Sequence, residues 1–409
     1  MNILIVTEDF PWPSRGGGLI RLAKAIEAVS GVGHTDLFSL YDPNRTDPVL
    51  PPHVDIERLE TVCYPGTPDD RRWRTRWLSH RGVPMEVAMR SFDHAPRLSF
   101  ERWTADHYDL VWFSTAATYS WMGRPRLGPT IIDLMDLEDV KARQRARLLR
   151  GRRGGRSWST TIRDIGASAQ VQINARDWTR FQKSVASDVD RVVLCSDVDV
   201  LRSGIANAAV VPNTFARPEE SMGHGRVGTP PVILFQGSLH YGPNMDAVDW
   251  LVDQVAPHLW TRMPEAQIRL VGTTSTSVAR RHRPPAITVT GRVPEMEPEL
   301  ARADIAVVPL RIGSGTRLKI LESFAHRVPV VSTTLGAEGI DVTNNVHLLL
   351  ADDAESFAAA CQRLLVDEAL RKRLVDSAEE LYLSRYEWSA ARDRIRALVH
   401  EVAHIRQGT

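Results

Sequence analysis

Val308-Pro309-Leu310-Arg311-Ile312-Gly313-Ser314-Gly315-Thr316-Arg317-Leu318-Lys319-Ile320-Leu321-Glu322-Ser323 is the segment from which the fold can be worked outward. An apolar run ending at Leu310 predicts a strand, and the spacing from about Arg317 predicts a helix. Between them, Gly313 and Gly315 bring bare backbone to the helix N-terminus. Free N–H groups and the positive end of the helix dipole then face whatever occupies the crevice. Arg317 and Lys319 add fixed positive charge in the first turn, where cations are disfavoured unless an anion compensates. A diphosphate would do so. One turn on, Glu322 offers two acceptor oxygens to ribose hydroxyls. The plainer reading of the same residues is a generic strand-to-helix turn with solvated charges.

On either side the same grammar repeats. Strands are expected at 231–236, 266–271, 287–289, 305–310 and 328–332, with a helix from Asp246 that buries Val248, Leu251, Val252, Val255 and Leu259. Nearer the start, strands are expected at 2–7, 35–40, 110–113, 130–134, 192–195 and 209–211. The short continuous apolar runs suit parallel sheets covered on both faces. Two such series predict an α/β protein with two Rossmann-like, doubly wound parallel-sheet domains. The N-terminal domain is placed at 1–215, a Gly/Pro-bearing linker at 216–230 and the C-terminal domain at 231–384. The final helix, at 385–409, turns Ile395, Leu398, Val399, Val402 and Ile405 to one face. The arginine-rich stretch 141–156 reads as a mobile loop or a solvated helix, and 42–105 carries no readable motif.

A chain of 409 residues accommodates two cores. Its 51 basic and 50 acidic residues nearly cancel, so no global field points to nucleic acid or to a membrane surface. Three cysteines, at 63, 195 and 361, are too scattered for a disulfide framework or a zinc site. No apolar stretch approaches the roughly 20 residues that span a bilayer, and the first residues lack the basic flank of a signal peptide. These features lead to an expectation of a cytoplasmic protein with membrane contact that is peripheral at most.

The segment 308–323 resembles the donor-binding signature of glycosyltransferase family 4, whose fold is GT-B, with the two domains facing a central cleft. It is most similar to a bacterial sugar-transferase branch, associated with exopolysaccharide or exosortase systems, that carries G-x-x-x-K-I-L-E. In the family two glutamates usually bracket this turn. Glu322 matches the second, whereas the first position holds Ser314. The main-chain N–H groups of Gly315 and Thr316 are then left to hold sugar hydroxyls. Leu318 completes the donor-binding turn.

Other segments extend the resemblance. In Phe235-Gln236-Gly237-Ser238-Leu239-His240, the glycine after a strand permits close ligand approach. Family members often place an Arg and a Lys in this loop. Here Ser238 and Pro243-Asn244 stand instead, leaving Arg317 and Lys319 to carry the phosphate charge. Gly237, Ser238 and His240 are the donor-loop candidates, with Asn244 as a helix cap in the plainer reading. Gly291, Arg292 and Val293 match the family's nucleobase site. Gly17 and Gly18 resemble its first-loop double glycine; a flexible loop is the alternative.

Asp133, Asp136, Glu138 and Asp139 fall where ligands of open α/β sheets collect. Asp136 takes the place of a histidine found in many family members. It is the candidate for contact with the transferred sugar or the acceptor nucleophile. A Mg²⁺ or Ca²⁺ site and a helix cap are the other readings.

The resemblance implies a retaining, metal-independent hexosyltransferase-type enzyme (EC 2.4). It would take a UDP- or GDP-linked sugar as co-substrate, with no further cofactor, and a small-molecule or glycan acceptor, in secondary-metabolite or polysaccharide biosynthesis. A non-catalytic sugar-nucleotide-binding protein and a GT-B-like epimerase are the rivals.

Overall fold

The computed structural model describes residues 1–14, 17–44, 47–64, 82–90, 94–151, 158–218, 227–313 and 317–405. It divides into two compact units: Met1–Val211 with Arg392–Thr409, and Pro212–Ala391.

The first unit is built on seven strands: β1 (Asn2–Thr7), β2 (His34–Tyr41), β3 (Arg58–Cys63), β4 (Leu110–Phe113), β5 (Thr130–Asp133), β6 (Arg191–Leu194) and β7 (Ala208–Val210). They lie in the order β3-β2-β1-β4-β5-β6-β7, and every neighbouring pair is parallel. Ile3, Leu4, Ile5 and Val6 are buried at successive positions, so both faces of β1 are covered. That is why the run is continuously apolar instead of alternating. The strand order reverses between β1 and β4, which makes their C-terminal ends a topological switch point.

Strand β3 was not expected. It is a half-buried edge strand of alternating character, Arg-Leu-Glu-Thr-Val-Cys, and its polar residues hid it within 42–105. Such residues suit an edge, where an apolar strand would invite pairing with other chains. Arg58 pairs with Asp36 at 3.2 Å and lies over the Trp103 ring at 4.5 Å. Of the arginine-rich stretch, the described part belongs to the helix Glu138–Gly151; 152–157 lie outside the described residues.

The second unit holds β8 (Val232–Gln236), β9 (Gln267–Val271), β10 (Ile287–Gly291), β11 (Ile305–Val308), β12 (Val330–Ser332) and β13 (Leu349–Leu350), in the parallel order β10-β9-β8-β11-β12-β13. Its switch point lies between β8 and β11. The Asp304 carboxylate accepts from the Gly228 and Val232 N–H groups at 2.7 and 2.6 Å, which pins the start of β8. The helix Gly242–Trp250 continues through a π turn at Leu251–Val255 into Ala256–Arg262, and Trp250 packs edge-on to Phe357 at 5.3 Å. Each fully buried side chain of this kind contributes about 1.5–3 kcal/mol. Asp353 and Asp367 cap the helices Ala354–Val366 and Glu368–Arg385 through the Ser356 and Leu370 N–H groups. Among the described residues no helix is long and apolar enough to cross a membrane.

Candidate functional site

The C-terminal ends of β8 and β9 approach so closely that only glycine fits. A Cβ built at Gly272 would lie 1.8 Å from the Gly237 carbonyl oxygen. Gly237 has φ +144°, and a Cβ there would lie 2.9 Å from Asn244 Nδ2 and 3.1 Å from Lys319 Nζ. The missing side chain therefore leaves room for an amide and an ammonium group to converge on the strand end.

The helix Leu318–Ala325 buries Ile320, Leu321, Phe324 and Ala325. Lys319 and Glu322, three residues apart, share one side of it. Lys319 Nζ donates to Asn244 Oδ1 at 3.0 Å and sits 4.3 Å from the Phe235 ring centroid. Gln236 Nε2 donates to Glu322 Oε2 at 2.9 Å. Burial, reinforced by the Arg317 guanidinium, pushes the Lys319 ammonium down to about 7, against the pull of Glu322. Burial pushes the Glu322 carboxyl up to about 7, opposed by Lys319 and by the bond from Gln236. Two groups so placed can exchange charge state near neutrality, which marks the cluster as a candidate functional site.

The other expected donor-site residues of the second unit fall as follows. The Arg317 guanidinium folds back over Gly313, whose added Cβ would meet it at 2.8 Å. Leu318 opens the helix and is half-buried. Ser314, Gly315 and Thr316 lie outside the described residues. Ser238 and His240 are exposed on the loop after β8; the His240 ring Nδ1 stands 3.4 Å from the Thr273 carbonyl oxygen. Gly291 ends β10 with φ +78°, and Arg292 and Val293 follow it, exposed and half-buried.

In the first unit, Gly17 and Gly18 begin the helix Gly17–Ser30, both exposed. A Cβ at Gly18 would lie 3.8 Å from Met135 Sδ, so this turn abuts the residue before Asp136. From Asp133, the last residue of β5, onward, each of the four expected carboxylates meets a cationic or hydroxyl partner. Asp133 is held by Arg21 through Nε and Nη2 at 2.9 and 3.0 Å. Asp136 and Glu138 share Lys141 at 3.1 and 2.5 Å. Asp139 accepts from Thr179 Oγ1 at 2.8 Å and pairs with Arg143 at 3.1 Å. Arg21 also donates to the Val211 carbonyl oxygen at 2.8 Å, so it ties β5 to the end of the unit's sheet.

Two site residues escaped the sequence reading. Gln236 was passed over as the last residue of a buried strand, and Asn244 was read as a cap. The helix in fact starts at Gly242, with Tyr241 as its N-cap, and Asn244 is the third helical residue. Its Nδ2 donates to the Ser238 carbonyl oxygen at 3.0 Å while its oxygen takes Lys319. The available signal was a pair of amides flanking the glycine after a strand, at 236 and 244.

Residues 230–367 match the family model "Glycosyl transferases group 1". Over 377 residues the chain is 25% identical to an uncharacterized 44.6 kDa protein in the cps region of Klebsiella pneumoniae, an alignment covering 87% of this chain and 89% of that one. Among solved structures, sucrose-phosphate synthase from Thermosynechococcus elongatus superposes with a TM-score of 0.66 at 17% identity, covering 98% of this chain and 99% of the other. Anabaena Alr3699/HepE in complex with UDP and glucose superposes with a TM-score of 0.59 at 13% identity, covering 97% and 99%. With these neighbours, the two parallel-sheet units constitute a GT-B fold.

Proposed function

Because residues 230–367 match the family model of the group 1 glycosyl transferases, we propose that this chain transfers a sugar, with retention of configuration, from a UDP- or GDP-linked donor to a small-molecule or glycan acceptor. The observation that carries this reading is the convergence of Lys319 and Glu322 at the β8/β11 switch point, where open α/β sheets take their ligands. Lys319 and Arg317 hold the diphosphate. Glu322 accepts from the ribose hydroxyls. The backbone around Gly291, Arg292 and Val293 receives the base, and Ser238 and His240 complete the donor contacts of the second unit. Asp136 is assigned to the transferred sugar or the acceptor on resemblance. The UDP and glucose held by the Anabaena neighbour support the donor class, and the capsule-region relative supports a polysaccharide acceptor over a secondary metabolite.

Catalysis in this reading is positioning plus stabilisation of the departing charge. No enzyme nucleophile is required, because the leaving diphosphate accepts the acceptor's proton. A thermal-shift series across nucleoside diphosphates tests the reading: a ligand that binds only the folded state raises the melting temperature. A rise with UDP or GDP is expected; no rise with any of them would refute it.

A further inference from the structure

We propose that Gln236 and Asn244 are positioning residues that hold Glu322 and Lys319 in register for the donor. The inference rests on the reading that Lys319 and Glu322 face the nucleotide, and it is carried by geometry within the second unit. Each amide serves one of the two groups: Gln236 Nε2 reaches Glu322 at 2.9 Å, and Asn244 Oδ1 reaches Lys319 at 3.0 Å. Both amides are buried, at 5% and 8% exposure, so these bonds are made out of water, where an unmade one is costly.

The orientation of each amide is the one its partner's charge selects. Gln236 presents its N–H₂ to a carboxylate, and its Oε1 has no hydrogen-bond partner among the described residues. A side chain placed only for packing would have no reason to leave a buried acceptor unsatisfied. Asn244 is fixed the opposite way: its Nδ2 is committed to the Ser238 carbonyl oxygen, which leaves only the oxygen to face the ammonium. The absence of a side chain at Gly237 keeps the space in which this happens.

The amides add no net charge to the pocket. Arg317, Lys319 and Glu322 are the charged groups acting on one another there. An arginine or lysine in the loop would depress Lys319 further by like-charge repulsion. A neutral acceptor instead steadies the ammonium without competing for the phosphate.

The test reads the titration of Lys319 in the ligand-free protein, by competitive acetic anhydride labelling and peptide mass spectrometry across pH 5–10. Asn244→Asp, an isosteric change, is expected to raise the labelling midpoint by about one pH unit, because a carboxylate replaces the amide oxygen. Asn244→Ala is expected to lower it. Gln236→Leu is also expected to lower it, since Glu322 then stays protonated to higher pH and supports the ammonium less. Midpoints unchanged in all three folded variants would overturn the proposal. If Asn244→Ala melts early, the isosteric variant still decides. UDP and GDP calorimetry on the unsubstituted chain separates the two levels: midpoints that move while no nucleotide binds uphold the positioning and refute the donor reading.

Discussion

Lys319 donates to the side-chain oxygen of Asn244 at 3.0 Å while its ammonium lies 4.3 Å from the centroid of the Phe235 ring. The amide comes from the helix after β8 and the ring from β8 itself, so one cation is read by two consecutive elements. Such a group is preorganised: its position is set before any ligand arrives, and little reorganisation is needed when negative charge develops beside it.

The pair Lys319 and Glu322 predicts a bell-shaped pH dependence of nucleotide affinity centred near 7. Below about 7, Glu322 gains a proton and is no longer the acceptor-only group proposed to receive ribose hydroxyls. Above about 7, Lys319 loses the charge proposed to hold phosphate. The two groups are coupled, so the limbs belong to the pair. Glu322→Gln is expected to remove the acid limb and keep the alkaline one. Calorimetry from pH 5.5 to 9 in buffers of differing ionisation enthalpy reads both affinity and proton uptake.

Removing the cation is expected to act on turnover. Lys319→Ala should lower kcat by about 100-fold or more, as loss of one preorganised stabiliser does. Near-normal turnover by a folded variant would remove Lys319 from the mechanism.

Asp133 and Arg21 are 4% and 7% exposed and joined through two guanidinium nitrogens. Asp133→Ala strands a buried guanidinium and is expected to destabilise the first unit by about 3–5 kcal/mol. Replacing both partners with apolar residues of similar volume should recover most of that loss. Urea denaturation of the single and double variants measures the difference.

Gly272→Ala is expected to destabilise the second unit by about 3 kcal/mol or more, because its Cβ would lie 1.8 Å from the Gly237 carbonyl oxygen. Forcing β8 and β9 apart should weaken nucleotide binding too, since Gly237 sits against Asn244 and Lys319. Parallel melting and binding curves check both.

Much of the architecture was legible because continuous apolar runs announce buried parallel strands. Strands β1 and Leu110–Phe113 were expected at their observed bounds, and β8 and β9 fall within a residue of theirs. β3 was not, because an edge strand with alternating polar residues has no local apolar signal to find. β13, two residues long, is fixed by pairing with β12 instead of by pattern. At the site, the charged residues of 317–322 could be named from helical spacing. Their partners could not. Gln236 and Glu322 are 86 positions apart, Asn244 and Lys319 are 75, and Arg21 and Asp133 are 112. Such contacts follow from how β8 and β11 adjoin, or how β5 meets the helix after β1, and no window along the chain contains them. Periodicity also placed the helix after β8 late, at Asp246, since Gly242 and Pro243 read as loop although proline is well accommodated in a helix's first turn.

The end of β8 and the start of the helix Leu318–Ala325 are proposed to grip a nucleoside diphosphate. Isothermal titration of the intact chain with UDP and GDP at pH 7 tests it most directly. Saturable binding of one of them, weakened at least about tenfold by Lys319→Ala as loss of a charge-assisted bond implies, is the predicted result. Absence of heat with both nucleotides and with their sugar conjugates, from protein that melts cooperatively, would contradict it.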